Sequence, residues 1–196
     1  VGSEMCIRDR MMAVNISFFA LCWGILSSYV AIYAKERLGI TGGTGVFFAL
    51  LAAGLFVSRL WGSRSLRHGH ITANCVFGVL VSTVGYTLFA LSPGQWAYYV
   101  SAMLIGLGNG RMYPAFLNMF IKVARHDQRG TANSSILISW DVGVGVGMLA
   151  GGVLAEYAGY AAAFWTAAAI QAGGAAMFIL RTRGFFLRRR LYQDCE

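Results

Sequence analysis

Apolar residues in this chain neither alternate nor recur at a helical spacing. They run on for about twenty positions at a time and then stop. Six such stretches cover residues 11–34, 44–62, 71–91, 96–121, 131–155 and 160–180. About twenty residues at ~1.5 Å each cross the ~30 Å of a bilayer's hydrocarbon as a helix. In lipid every backbone N–H and C=O must be satisfied within the structure, which leaves helices or closed barrels. These runs are too long and too uniformly apolar for barrel strands. The pattern therefore predicts an all-α, polytopic membrane protein of six transmembrane helices. Lys35, Glu36 and Arg37 close the first run, Arg59, Arg64 and Arg67 close the second, and Ser92, Pro93 and Gly94 form a turn after the third.

Composition agrees with the pattern. The chain is 57% hydrophobic and 12% charged, with a mean hydropathy of +0.59, whereas a soluble domain carries about a quarter charged residues. Its 25 Gly and two Pro sit largely inside the apolar runs, where small residues let membrane helices approach closely. A net charge of +8 would suit nucleic acid only if the basic residues formed a patch on a soluble surface. Here they mark the ends of segments. The gaps after segments two and four and the C-terminal tail hold eleven Lys and Arg, and the gaps after segments one, three and five hold two, Lys35 and Arg37. Under the positive-inside rule this imbalance predicts that both termini are cytoplasmic.

Two ends of the chain differ from the middle. Residues 1–10, VGSEMCIRDR, are polar, lack the apolar core of a signal peptide and resemble translated sequencing-adapter sequence. They are read as a non-native leader, 11–185 as the six-helix transmembrane unit, and 186–196 as a basic cytoplasmic tail. Cys6, Cys22, Cys75 and Cys195 form neither a metal motif nor a disulfide framework. His68, His70 and His126 lack metal spacing, so neither a metal nor a cofactor is expected.

Two charges interrupt the apolar runs. An ionised group at mid-bilayer costs at least ~3 kcal/mol, so such a residue faces a cavity or a partner. Arg111 precedes Lys122 by eleven residues, and Asp141 follows Arg129 by twelve. Both therefore lie ~15–18 Å from the cytoplasmic end of their helices, at matching depth. Either Asp141 exchanges a proton and Arg111 holds an anionic group of a substrate, or the two form a static ion pair that orients their helices. The stretch 106–114, GLGNGRMYP, reads as a bend or local unwinding exposing backbone to a cavity, or else as close packing. Asn109, Tyr113 and Asn118 are expected to line that cavity. Asn15, Cys22 and Tyr29, with Tyr33, share one face of segment one, as a cavity wall or, more simply, a helix–helix seam. Ser139, Gly143, Gly147, Gly151, Ala155 and Gly159 recur every four residues and predict a small-residue packing ridge. No nucleophile constellation, phosphate-cradling loop or metalloprotease motif occurs, so an enzyme is disfavoured.

Residues 106–164 resemble the tenth and eleventh helices of the major facilitator superfamily, in particular its drug- and sugar-efflux branches. Arg129, Gly130, Ala132 and Asn133 match an Arg-Gly-x-Ala-Asn start. Asp141, Gly143, Gly145 and Gly147 match an Asp-x-Gly-x-Gly-x-Gly helix, and Gly159 and Tyr160 a Gly-Tyr turn. The loop GSRSLRHG resembles a decayed copy of the family's Gly-x-Leu-Ala-Asp-Arg-x-Gly signature through Gly62, Arg67 and Gly69, with Leu66 at its acidic position. The resemblance implies helices seven to twelve of a twelve-helix carrier, with the first and fourth segments on a central cavity and the second and fifth at the seam between halves. It implies an alternating-access transporter, an antiporter exporting a small organic molecule against protons, in a bacterial inner membrane. Its partners would be substrate, protons, lipid and a missing N-terminal half, with no nucleic acid. Uptake of a sugar or metabolite on the same fold is one alternative. A scaffold or receptor-like membrane protein without transport is another.

Overall fold

The long apolar runs become long helices. The structure is a computed structural model that describes residues 2–40, 42, 44–67, 69–91, 94–123 and 129–184. Every secondary-structure element among these residues is a helix: α1 Gly2–Leu38, α2 Thr44–Arg67, α3 Ile71–Leu91, α4 Gln95–Val123 and α5 Arg129–Met177, which continues into a short π-helical turn, Phe178–Thr182. Helix α1 begins at Gly2, so the polar leader is helical and continuous with the first apolar segment. The basic tail at 186–196 lies outside the described residues.

Among the described residues, four stretches are long and apolar enough to cross a membrane: Arg10–Leu38, Thr44–Gly62, Ile71–Leu91 and Arg129–Thr182. Helix α4 falls outside this set, because Asn109, Arg111, Asn118 and Lys122 dilute its apolar residues. Expected segments five and six are two helices that meet in a kink at Gly159, whose φ of 82° and ψ of 160° are not helical; the two are labelled together as α5. A residue with a Cβ strongly disfavours that conformation, so one glycine replaces a loop. The two limbs of α5 lie before and after it.

Small residues decide which helices touch. Gly54, Gly106 and Gly110 bring α2 and α4 into backbone contact: a Cβ at Gly54 would lie 2.6 Å from the Met103 carbonyl oxygen, and one at Gly110 2.8 Å from that of Leu55. Gly78 and Gly108 do the same for α3 and α4. Helix α4 is thus held between α2 and α3. On the other side, Gly143 and Gly147 of the first limb lie on the α1 backbone at Ser17 and Leu21, and Gly151 lies on Tyr29. The second limb covers the far face of α1, where Asn15 Nδ2 donates to the Gly174 carbonyl (3.0 Å) and the Cys22 thiol to that of Ala167 (3.2 Å). The described residues therefore form two tightly packed groups, α2–α4–α3 and α1 with α5.

Two aromatic clusters join these groups. At the end carrying the α1–α2 and α3–α4 connections, Tyr33, Phe47, Phe89, Tyr98 and Phe164 interleave with centroids 4.6–5.8 Å apart. Towards the other end, Phe116 stands between Phe19 at 5.9 Å and Phe178 at 5.3 Å. Tilted and edge-on pairs at these separations are the favoured geometry for aromatic rings.

Candidate functional site

Between the two groups of helices lies a cavity of about 290 Å³, lined by Trp23 of α1, Leu55 and Arg59 of α2, Asn109 and Tyr113 of α4, and Trp140 of α5. Helical spacing explains the wall. Leu55 and Arg59 are four apart on one face of α2, as are Asn109 and Tyr113 on α4. The Tyr113 and Trp140 rings meet edge to face, with centroids 5.1 Å apart and planes at 76°. A second hollow, lined by Ala31, Ile32, Lys35 and Glu36, draws on the end of α1 alone among the described residues.

Behind Asn109 runs a buried polar chain. Gln171 Nε2 donates to Ser82 Oγ (3.1 Å), and Ser82 Oγ donates to Asn109 Oδ1 (3.3 Å). All three residues are buried, and they come from the second limb of α5, from α3 and from α4. Buried polar groups in an apolar bundle are costly without partners, so this chain also pins three helices in register.

Asn109 and Tyr113 lie on the wall of this cavity. The other residues singled out from sequence lie elsewhere. Asn118 Nδ2 donates to its own helix at the Pro114 carbonyl (2.8 Å). Asn15 and Cys22 face the second limb of α5, and Tyr29 donates from its hydroxyl to the Met148 carbonyl (2.7 Å). Those three form the seam of α1 and not a cavity wall. The glycines of 106–114 do not unwind α4, which stays helical through Pro114; Gly106, Gly108 and Gly110 are packing surfaces against α2 and α3.

Arg111 and Asp141 do not pair. Residues two apart on a helix point about 200° apart. Tyr113 meets α5 through Trp140, so Arg111 is turned to the opposite side, over α2 and α3. Its guanidinium carbon sits 4.4 Å from the centroid of the Phe77 ring, a cation–π contact. Its Cγ is 3.2 Å from where a Cβ at Gly62 would be. Gly62 thus makes room for Arg111, which ties the loop motif to the charged helix. Gly69, at φ 81°, reverses the chain so that the His70 N–H donates to the Ser65 carbonyl (3.2 Å). Arg67 ends α2, and its side chain lies outside the described residues. Asp141 is exposed on the open face of α5.

Trp140, Leu55 and Arg59 were missed as cavity residues. Arg59 reads from sequence as a topology charge. Its spacing of four from Leu55 puts both on one helix face but does not say what that face meets.

The profile of the Major Facilitator Superfamily matches residues 12–189. The chain is 30% identical over 95 residues to the multidrug resistance protein MdtH of Yersinia pestis (strain Pestoides F) and to that of Yersinia pseudotuberculosis serotype O:1b, covering 48% of this chain and 23% of each relative. Among solved structures, a peptide transporter POT in complex with sulfate superposes with a TM-score of 0.74 at 17% identity, over 88% of this chain and 37% of that one. A bacterial homologue of the human drug peptide transporters PepT1 and PepT2 superposes with 0.73 at 20% identity, over 88% and 41%. The chain therefore spans a quarter to two-fifths of the proteins it resembles, and at these identities the solved structures speak for the fold. Apolar helices of membrane-crossing length, a helical fold shared with solved transporters and the sequence profile lead to one conclusion: this integral membrane chain belongs to the Major Facilitator Superfamily.

Proposed function

We propose that this chain is the C-terminal six-helix half of a secondary transporter that exports a small organic molecule in exchange for protons by alternating access. The observation that carries the reading is the cavity between the two helix groups, where a charged side chain, an amide and three aromatic rings converge from four helices. Concave sites of a few hundred Å³ with mostly apolar walls and a few placed polar groups are the usual form of a small-molecule site. The similarity to a multidrug resistance protein favours export.

In this reading α5 crosses the membrane twice. A straight helix of 54 residues would be about 81 Å long, against ~30 Å of hydrocarbon, and the bend at Gly159 divides it into two spans. Helix α4 is the remaining span, its polar residues tolerated because they face the cavity or neighbouring helices. Both termini are then cytoplasmic, and the bacterial inner membrane is the natural location. Asp141 is assigned to proton coupling, since it is an acid in mid-helix, exposed on the face that would meet a second half. Arg111 acts from the α2–α4 side, where a change in its contact with Phe77 would accompany movement of the cytoplasmic loop.

The test is transport by the whole carrier encoded in the source DNA, expressed in bacteria lacking their own exporters and loaded with a fluorescent dye panel. The expected result is lower accumulation that a protonophore restores. Raised accumulation would replace export by uptake, and unchanged accumulation across the panel would favour a protein without transport.

A further inference from the structure

We infer that the cavity takes a flat aromatic molecule carrying a carboxylate. This deepens the transport reading above and rests on the cavity being the substrate site. Three rings on three helices, Trp23, Tyr113 and Trp140, form its apolar walls, and aromatic walls favour flat aromatic guests through offset and edge-on contacts. The polar groups are biased towards donation. Arg59 offers only donors, in a planar fork that matches a carboxylate. The amide of Asn109 is oriented from behind. Gln171 Nε2 donates to Ser82 Oγ, so the hydroxyl proton of Ser82 is directed to Asn109 Oδ1. The carbonyl side of the amide is thereby engaged with Ser82, and the buried Tyr86 hydroxyl lies beside the same amide, so Asn109 is held in place as a polar part of the wall and Arg59 is the charged donor for a guest. Ser82 and Gln171 are positioning residues for that amide.

The same wall discriminates against cations. Among the described residues lining the cavity there is one positive side chain and no acid. Asp141, the neighbour of Trp140, is not in the wall, and Arg111 is engaged with Phe77. Arg59 is itself exposed, at the open side of the wall, and an ammonium guest would meet its like charge there with no acid in the wall to offset it.

The experiment is calorimetric titration of the purified whole carrier in detergent at neutral pH with three probes of one shape: 2-naphthoate, its neutral amide, and 2-naphthylmethylammonium. The naphthoate is expected to bind at least about tenfold more tightly than either of the others, as a charge-assisted bidentate contact would give. Arg59→Gln should bring the naphthoate down to the amide, while Arg59→Lys keeps the preference over the ammonium. Ser82→Ala should reduce the naphthoate-to-ammonium ratio without changing ammonium binding, which a merely structural role would not do. If the ammonium binds as well as the naphthoate, or the ratio survives Arg59→Gln, the substrate class is wrong and the cavity remains a binding site. Binding of none of the three overturns the cavity as the site, and this inference with it.

Discussion

Two glycines two residues apart on α5 should respond to the same substitution with opposite signs. At Gly143 a Cβ would lie 2.6 Å from the Ser17 carbonyl oxygen, 2.7 Å from the Ala20 Cβ and 3.0 Å from the Ser17 Cα. The first and last of these are backbone atoms of α1, which cannot rotate away, so the helices must separate by most of an ångström. Overpacking of this kind costs ~1–3 kcal/mol, and a gap of that size forfeits a quarter to a half of each affected dispersion contact. It also threatens the bond from Ser17 Oγ to the Ser139 carbonyl (2.9 Å) one turn away. Replacing Gly by Ala inside a helix returns ~0.8–1.0 kcal/mol, so Gly143→Ala should lose a net of up to ~2 kcal/mol. At Gly145 nothing lies within 4 Å of the added Cβ, and Gly145→Ala should gain up to ~1 kcal/mol. At ~2–4 °C per kcal/mol for a chain of this size, Gly143→Ala should melt below Gly145→Ala by up to ~12 °C. Cys22 and Cys75, both buried with free thiols, supply the reporter: a thiol-reactive fluorogenic dye follows unfolding in detergent in a Cys6→Ser, Cys195→Ser background. If Gly143→Ala melts at or above the parent, or Gly145→Ala falls as far, then backbone contact between α1 and α5 is not what those glycines provide.

Three further outcomes are expected. Gly159→Ala should lower the melting temperature although the site is exposed and uncrowded, because a φ of 82° with ψ near 160° costs a residue with a Cβ ~1–3 kcal/mol; an unchanged melt would mean that the limbs can be joined another way. Arg111→Gln should cost ~0.5–2 kcal/mol through the lost Phe77 contact, and in a double-mutant cycle Phe77→Leu should then add less than it does alone; strict additivity would remove that contact from the account. In the whole carrier, Asp141→Asn should abolish proton-driven flux and leave substrate binding intact; gradient-driven flux persisting at every pH would take Asp141 out of coupling.

What the amino-acid order settles by itself is the medium and the class of element. Runs such as 71–91 and 160–180 contain no charge, and a chain of that composition can satisfy its backbone in lipid only as helices. The four-residue spacing of Gly143, Gly147 and Gly151 likewise marks a packing face before any partner is known, since residues four apart share a face whatever lies opposite. The partner of each face is a different matter. Arg111 and Asp141 have matching depth along their helices, yet depth carries no information about rotation; the meeting of Tyr113 with Trp140 turns Arg111 to the far side of α4, onto Phe77. The glycines around Arg111 could equally have unwound the helix or packed it, and only the carbonyls of Leu51, Leu55 and Gly78 pressed against them decide for packing. Gly159 reads as a turn from sequence, and its positive φ marks the kink where the two limbs of α5 meet; that both limbs then pack on α1 is a matter of tertiary contact. The cavity itself was half legible. Asn109 and Tyr113 share a face by spacing, whereas Arg59 and Trp140 join them through contacts between residues far apart in the chain, which hydrophobic periodicity cannot encode.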